Sequence, residues 1–90
     1  MNIYCCCGSG LGSSLILKMS VEEALETLDA AGSDVQFGQA SSIPVSCDLV
    51  LCSDELAPNL YCEQPVYGVH DLMDEEEIAS ILQRFMEEGG

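Results

Sequence analysis

The chain has almost no positive charge. Lys18 and Arg84 are its only basic side chains against 16 carboxylates, so 90 residues carry a formal net charge of −14. Nucleic-acid binding needs cations that displace the counterions of phosphates, so that class of partner is excluded. Docking by charge onto an anionic lipid surface is disfavoured for the same reason. Tryptophan is absent, which removes a stacking platform for a flavin. No apolar run approaches the roughly 20 residues that span a bilayer. The N-terminus has neither a basic leader nor a long apolar stretch, so no secretory signal is expected and the chain is read as cytoplasmic. It has one histidine, His70, and no Cys-x-x-Cys pair. A zinc site therefore lacks its ligand pattern, and no metal or other cofactor is expected. Internal repeats, linkers and low-complexity segments are missing as well.

Cysteine is the residue present in excess. Six in so short a chain invite a disulfide framework. Yet Cys5, Cys6, Cys7, Cys47 and Cys52 lie in or beside apolar strand patterns. A hydrophobic content of 48% supplies a core without covalent staples. They are read as reduced thiols of an intracellular protein. The length fits one domain, residues 1–90, with no room for a second core.

Along the chain, residues 2–6 are continuously apolar after Asn2 and predict a first strand covered on both faces. A helix is expected to open at Gly12 or Ser13. Leu17, Val21, Ala24, Leu25 and Leu28 follow helical spacing, and Gly32 is the expected stop. On that helix Lys18 is expected to pair with Glu22 four residues on, with contact to a bound anion as the alternative. Asp34–Gly38 reads as a second strand, followed by a polar loop with Pro44 as breaker. Asp48–Cys52 is a third strand. Ser53 then has the look of an N-cap for a brief helix cut short by Pro58. Val66–Val69 is a fourth strand. Asp74 caps a last helix whose stripe is Ile78, Ile81, Leu82 and Phe85 and which ends at Gly89-Gly90. Met73 and Met86 read as packing residues.

Alternating strands and helices mean an α/β fold with a parallel sheet, with helices on both faces. Ligands of such sheets sit at the carboxyl ends of the strands, beside the switch point. Cys7 falls there, and Ser53, Asp54 and His70 share that edge by topology.

The chemically informative stretch is Cys7-Gly8-Ser9-Gly10-Leu11-Gly12-Ser13-Ser14, between the first strand and the first helix. Unpaired amides at a helix start, together with the positive end of its dipole, favour an anion. Glycines let the backbone wrap closely around such a ligand. A thiol at the lip of this cradle ionises more readily. Cys7 is thus a candidate nucleophile toward a phosphoryl group, with Gly8 to Ser14 receiving the phosphate oxygens. Three other readings stand beside it. A glycine-rich turn can flank a cysteine that is merely a small hydrophobe. A phosphatase of the Cys-x5-Arg kind uses a similar loop, but Ser13 occupies the arginine position and the bidentate clamp is missing. A flavin-phosphate loop would need no thiol.

These residues carry a resemblance. The run Cys7 to Ser14, then Lys18-Met19, a DLVLCS third strand and a YGV fourth strand resemble the enzyme IIB components of the bacterial sugar phosphotransferase system. Within them the ascorbate and galactitol branch is the most similar. The resemblance implies an α/β/α three-layer sandwich, flavodoxin-like, with a four-stranded parallel sheet in the order 2-1-3-4, as in the lactose/cellobiose IIB fold. It implies a relay in which a phosphohistidine of enzyme IIA gives its phosphoryl group to Cys7. The phosphocysteine then passes it to a sugar held by the membrane component IIC. Cys5 and Cys6 lie inside the strand and lack the loop after them; the triple cysteine leaves a one-residue choice that direct mapping decides. A regulatory binding module that has lost transfer is the remaining alternative. The charge of −14 departs from the family pattern. It points either to a partner with a basic or neutral face or to a salty setting.

Overall fold

The computed structural model describes residues 1–6, 11–29, 32–60 and 62–88, with the side chains of 11–14 and 40 outside that description. Four strands, β1 (Asn2–Cys6), β2 (Asp34–Gly38), β3 (Leu49–Ser53) and β4 (Val66–Val69), form one sheet in the order β2-β1-β3-β4. Every neighbouring pair is parallel. Two α-helices, α1 (Leu11–Thr27) and α2 (Glu75–Glu87), complete the regular structure along with 3-10 turns at Ala40–Ser42 and Ala57–Asn59. The expected sheet and its strand order are those found.

The two central strands explain the apolar runs. Ile3 to Cys6 and Leu49 to Cys52 are all buried, because each strand is covered above and below. Alternate residues divide between two cores. Ile3, Cys5, Leu49, Leu51 and Val69 face the helices and pack with Leu17, Val21, Leu25, Ile78, Leu82 and Phe85. Tyr4, Cys6, Val50 and Cys52 face the other way and pack with Cys47, Ile43, Leu56, Leu60 and Cys62. Burying each large aliphatic side chain is worth roughly 1.5–3 kcal/mol.

Both helices lie on one face of the sheet. Right-handed crossovers account for this. The β1-to-β2 crossover places α1 on one side. The chain then reverses direction across the sheet, so the β2-to-β3 and β3-to-β4 connections pass over the opposite side. There the third layer consists of loops and the two 3-10 turns, where helices were expected. Residues 39–48 and 54–65 are short for a helical crossover, and Pro44, Pro58 and Pro65 interrupt them. Ser53 accordingly ends β3 and does not cap an α-helix; its carbonyl accepts from Leu56 N at 3.0 Å.

Other boundaries shift slightly. α1 begins one residue ahead of Gly12. It ends at Thr27, with Asp29 at φ 58° supplying the left-handed residue expected of Gly32. A short polar side chain makes that conformation accessible to aspartate. β3 starts at Leu49, while Asp48 just before it accepts from Asn2 N through Oδ2 at 2.8 Å. α2 starts as the Asp74 cap predicts, with Oδ1 accepting from Glu76 N at 3.1 Å and Glu77 N at 3.2 Å. Of its stripe, Ile78, Leu82 and Phe85 are buried and Ile81 is half-buried. The expected end at Gly89-Gly90 lies outside the described residues.

Candidate functional site

In a parallel sheet of this order the crevice opens beyond the carboxyl ends of β1 and β3, where the chain changes direction. Cys6 and Cys52 end the paired part of those strands as register partners. Cys7, Gly8, Ser9 and Gly10 lie outside the described residues; they join the end of β1 to the start of α1. Leu11, Gly12, Ser13 and Ser14 form the first turn of α1, whose backbone amides have no intrahelical acceptors.

The electrostatics of that helix start are set by the sequence. α2 has Asp74 as its cap and Glu75, Glu76 and Glu77 in its first turn, whereas the first turn of α1 has no acidic residue. All 16 carboxylates of the chain lie at Glu22 or beyond. The positive end of the α1 dipole is therefore left without a covalently attached counter-charge in a chain that has acids to spare. Sequence reading had this signal available and missed it.

The preceding cysteines are inside the protein. Cys5 and Cys6 are fully buried on opposite faces of β1. Burial, with a smaller contribution from Cys6, pushes the Cys5 thiol up to about 12. Cys6 is held below the ordinary thiol value by a hydrogen bond from Cys52, against the opposing effect of burial. The Cys52 Sγ also lies 3.9 Å from Tyr67 O, the alternative acceptor for its single S–H. Burial likewise raises Cys47. Neither Cys5 nor Cys6 is open to a reactant from solution.

Two of the edge residues meet. Asp54, after β3, and His70, after β4, are 3.0 Å apart from Oδ2 to Nδ1. Glu77 in the first turn of α2 closes the same corner, accepting from His70 N at 3.1 Å and from Asp71 N at 3.1 Å. That clamp was not foreseen. Lys18 is committed to its expected partner, with Nζ 3.6 Å from Glu22 Oε1, and it also lies over the Phe37 ring at 5.8 Å from the centroid. Arg84 stands in the last turn of α2 and shares a groove with Tyr67, Gly68 and Glu77. Met73 and Met86, expected to pack, are exposed. Among the described residues no group of three or more His, Cys, Asp or Glu is placed to hold a metal ion. No described helix is long and apolar enough to cross a membrane.

A parallel sheet whose first strand leads through a glycine-rich sequence into an acid-free helix start defines an α/β protein with its candidate site at that junction. Comparison with known proteins gives the class its name: the chain belongs to the phosphotransferase-system (PTS) lactose/cellobiose-specific IIB subunit family, whose model matches residues 2–84. It is similar to the ascorbate-specific PTS EIIB component of Mycoplasma pneumoniae, at 30% identity over 92 aligned positions, covering 96% of this chain and 95% of that one. Its fold is also similar to that of the lactose-specific IIB domain of Streptococcus pneumoniae, with a TM-score of 0.58 at 15% identity, over 97% of this chain and 95% of the other. PTS IIB components are phosphotransferases, and this chain serves sugar phosphotransfer as one of them.

Proposed function

We propose that the chain is a cytoplasmic phosphoryl carrier that uses Cys7 as its nucleophile, as one IIB-type domain over residues 1–90. The Cys7 thiolate attacks the phosphorus of a phosphohistidine on enzyme IIA. A P–S bond forms as the P–N bond breaks, and the imidazole leaves with its electron pair and takes up a proton. A sugar hydroxyl bound to the membrane component IIC then attacks the phosphocysteine. The P–S bond breaks, the thiolate departs, and the hydroxyl proton is released. The amides of Gly8 to Ser14, with the hydroxyls of Ser9, Ser13 and Ser14, receive the spreading charge on the phosphoryl oxygens. Similarity to the Mycoplasma protein favours a sugar of the ascorbate or galactitol type.

The observation that carries this reading is the acid-free start of α1 in a chain with 16 carboxylates. A bound dianion would be repelled by the acidic first turn that α2 carries. Burial of Cys5 and Cys6 supports Cys7 among the three adjacent thiols. Ser13 at the arginine position of a Cys-x5-Arg loop speaks against rapid release of phosphate to water, since the bidentate clamp on a hydrolytic transition state is missing from the motif.

Incubation with phosphorylated IIA should add one phosphoryl group to the chain, read by intact mass. Cys7→Ser should take none, and an aryl phosphate should be turned over by neither protein. A Cys7→Ser chain that still gains the group would refute the assignment.

A further inference from the structure

His70 is the chain's one histidine, and its side chain is 84% exposed. An imidazole so exposed is ordinarily free to turn, yet this one is held at two points. Its Nδ1 lies 3.0 Å from Asp54 Oδ2, and its backbone N–H donates to both carboxylate oxygens of Glu77 at 3.1 Å. Asp54 is fixed in turn. Its N–H donates to Val69 O at 3.0 Å, and its Cα packs so closely on Gly68 that a Cβ there would stand 2.9 Å away. An imidazole bonded through Nδ1 presents its other nitrogen, Nε2, for chemistry. Resting on the carrier reading above, we propose that His70 is the proton donor of the first phosphoryl transfer and the proton acceptor of the second, with Asp54 as its positioning residue.

Strand register supplies the location. Cys6, Cys52 and Gly68 form one row across β1, β3 and β4. Cys7 follows that row by one residue in the sequence, and Asp54 and His70 follow it by two. Adjacent strands are about 4.8 Å apart, so the strand that leads to His70 runs roughly 10 Å from the one that leads to Cys7. The contact with Asp54 draws the ring from β4 toward β3, which is the direction of β1. A donor that brings phosphorus to Cys7 at this edge also meets the exposed ring.

The two transfers require a proton to move twice. In the first, P–S forms as P–N breaks, and the freed imidazole nitrogen of IIA takes the proton from Nε2 of His70, which is left neutral. In the second, the sugar oxygen bonds to phosphorus as P–S breaks, and neutral Nε2 takes the hydroxyl proton. The Cys7 thiolate and the His70 imidazolium are both restored, and no proton is drawn from water.

The other basic side chains do not suit this role. Arg84 keeps its proton throughout the neutral range, and Lys18 is paired with Glu22 at 3.6 Å. Histidine is the side chain that exchanges a proton near neutrality. The hydrogen bond to Asp54, then the charges of Asp54, Glu77 and Asp71, raise the His70 pKa above 6.5. The acid form that the first transfer needs is therefore more populated at neutral pH than in a free imidazole.

The test uses the full chain and the IIA protein of the same organism. Transfer from saturating phospho-IIA to Cys7 is timed by rapid quench on both sides of pH 6.5 for wild type, His70→Gln and Asp54→Asn. The return transfer, from phosphorylated chain to IIA, is timed in the same way. Both substituted sites are exposed, and unchanged circular dichroism confirms folding. The Cys7 and donor titrations are common to all three proteins, so differences among them report His70. In wild type the forward rate should fall as pH rises through a midpoint above 6.5. The return rate needs the neutral ring and should rise through the same midpoint. His70→Gln should lose both limbs and slow each direction about a hundredfold or more, the usual scale of general acid–base catalysis. Asp54→Asn should keep both limbs and move them down toward 6.5. Wild-type rates in His70→Gln, or slower rates with the wild-type pH dependence, overturn the proton role and leave the carrier reading intact, since Cys7 is still labelled. Limbs that stay in place in Asp54→Asn overturn the part given to Asp54. Absence of label on wild-type Cys7 at every donor concentration refutes the carrier reading, and the proton role with it.

Discussion

The imidazole Nδ1 of His70 lies 3.0 Å from Asp54 Oδ2 and joins the turns that follow β3 and β4. The hydrogen bond to Asp54 raises the His70 pKa above its ordinary 6.5, aided by the charges of Asp54, Glu77 and Asp71. The raised value means that the folded state binds the proton more tightly than the unfolded chain. The contribution of the pair is complete below 6.5 and is lost as pH rises through the folded value. A proton NMR titration should show a His70 midpoint above 6.5, and Asp54→Asn should bring it down toward 6.5. An unchanged midpoint in that variant would show that the contact is not kept in solution.

The same corner is tight at Gly68. A Cβ there would stand 2.9 Å from Asp54 Cα and 3.3 Å from Ala57 Cβ. The first of these is backbone and cannot swing aside. Gly68→Ala should cost about 1–3 kcal/mol, the usual range for overpacking, in urea unfolding. It should also loosen the Asp54–His70 pair and lower the His70 midpoint.

Gly38 is crowded by a side chain instead. A Cβ there would run into the Tyr4 hydroxyl, which donates to Gln39 O at 2.9 Å. Gly38→Ala should destabilise by about 1–3 kcal/mol. Tyr4→Phe should cost about 1 kcal/mol through the lost hydrogen bond. Because the phenylalanine removes the atom in the way, the double variant should be more stable than the sum of the two losses implies.

Asp74 secures the start of α2 by accepting from two first-turn amides. Asp74→Ala should lower stability by about 0.5–2 kcal/mol, and Asp74→Asn should recover most of it, measured by chemical denaturation.

The thiols should separate by reactivity. Cys5, Cys6 and Cys52 are fully buried, and the Cys5 value of about 12 leaves almost no thiolate at neutral pH. Brief alkylation of the native chain should modify Cys7 first and the half-buried Cys62 more slowly, sparing the buried Cys5, Cys6, Cys47 and Cys52. Phosphorylation beforehand should protect Cys7 alone.

Strands were the most legible part of the fold. β1, β2 and β4 have the expected limits, because buried apolar runs bounded by polar or breaking residues admit few alternatives. The candidate site stands on its motif of glycine spacing, a thiol and paired serines, because Cys7 to Gly10 lie outside the described residues. What escaped depended on tertiary placement. Among the described residues, the lack of α-helices on the second face follows from connection length and proline positions. Ile16 and Met19 lie off the buried stripe, yet a sequence alone does not say whether a second apolar stripe is covered. Met73 carried no periodic context at all. Glu77 reads as one more acid in a helix start, and its role at the His70 corner exists only once β4 and α2 are folded against each other.

The central claim is that the phosphoryl group rests on one named sulfur, and fragment mass spectrometry of the chain after transfer from phospho-IIA tests it most directly. The account predicts the added mass on Cys7, with Cys5→Ser and Cys6→Ser still accepting it and Cys7→Ser accepting none. The added mass on Cys5, Cys6 or any residue beyond the β1–α1 loop would contradict it.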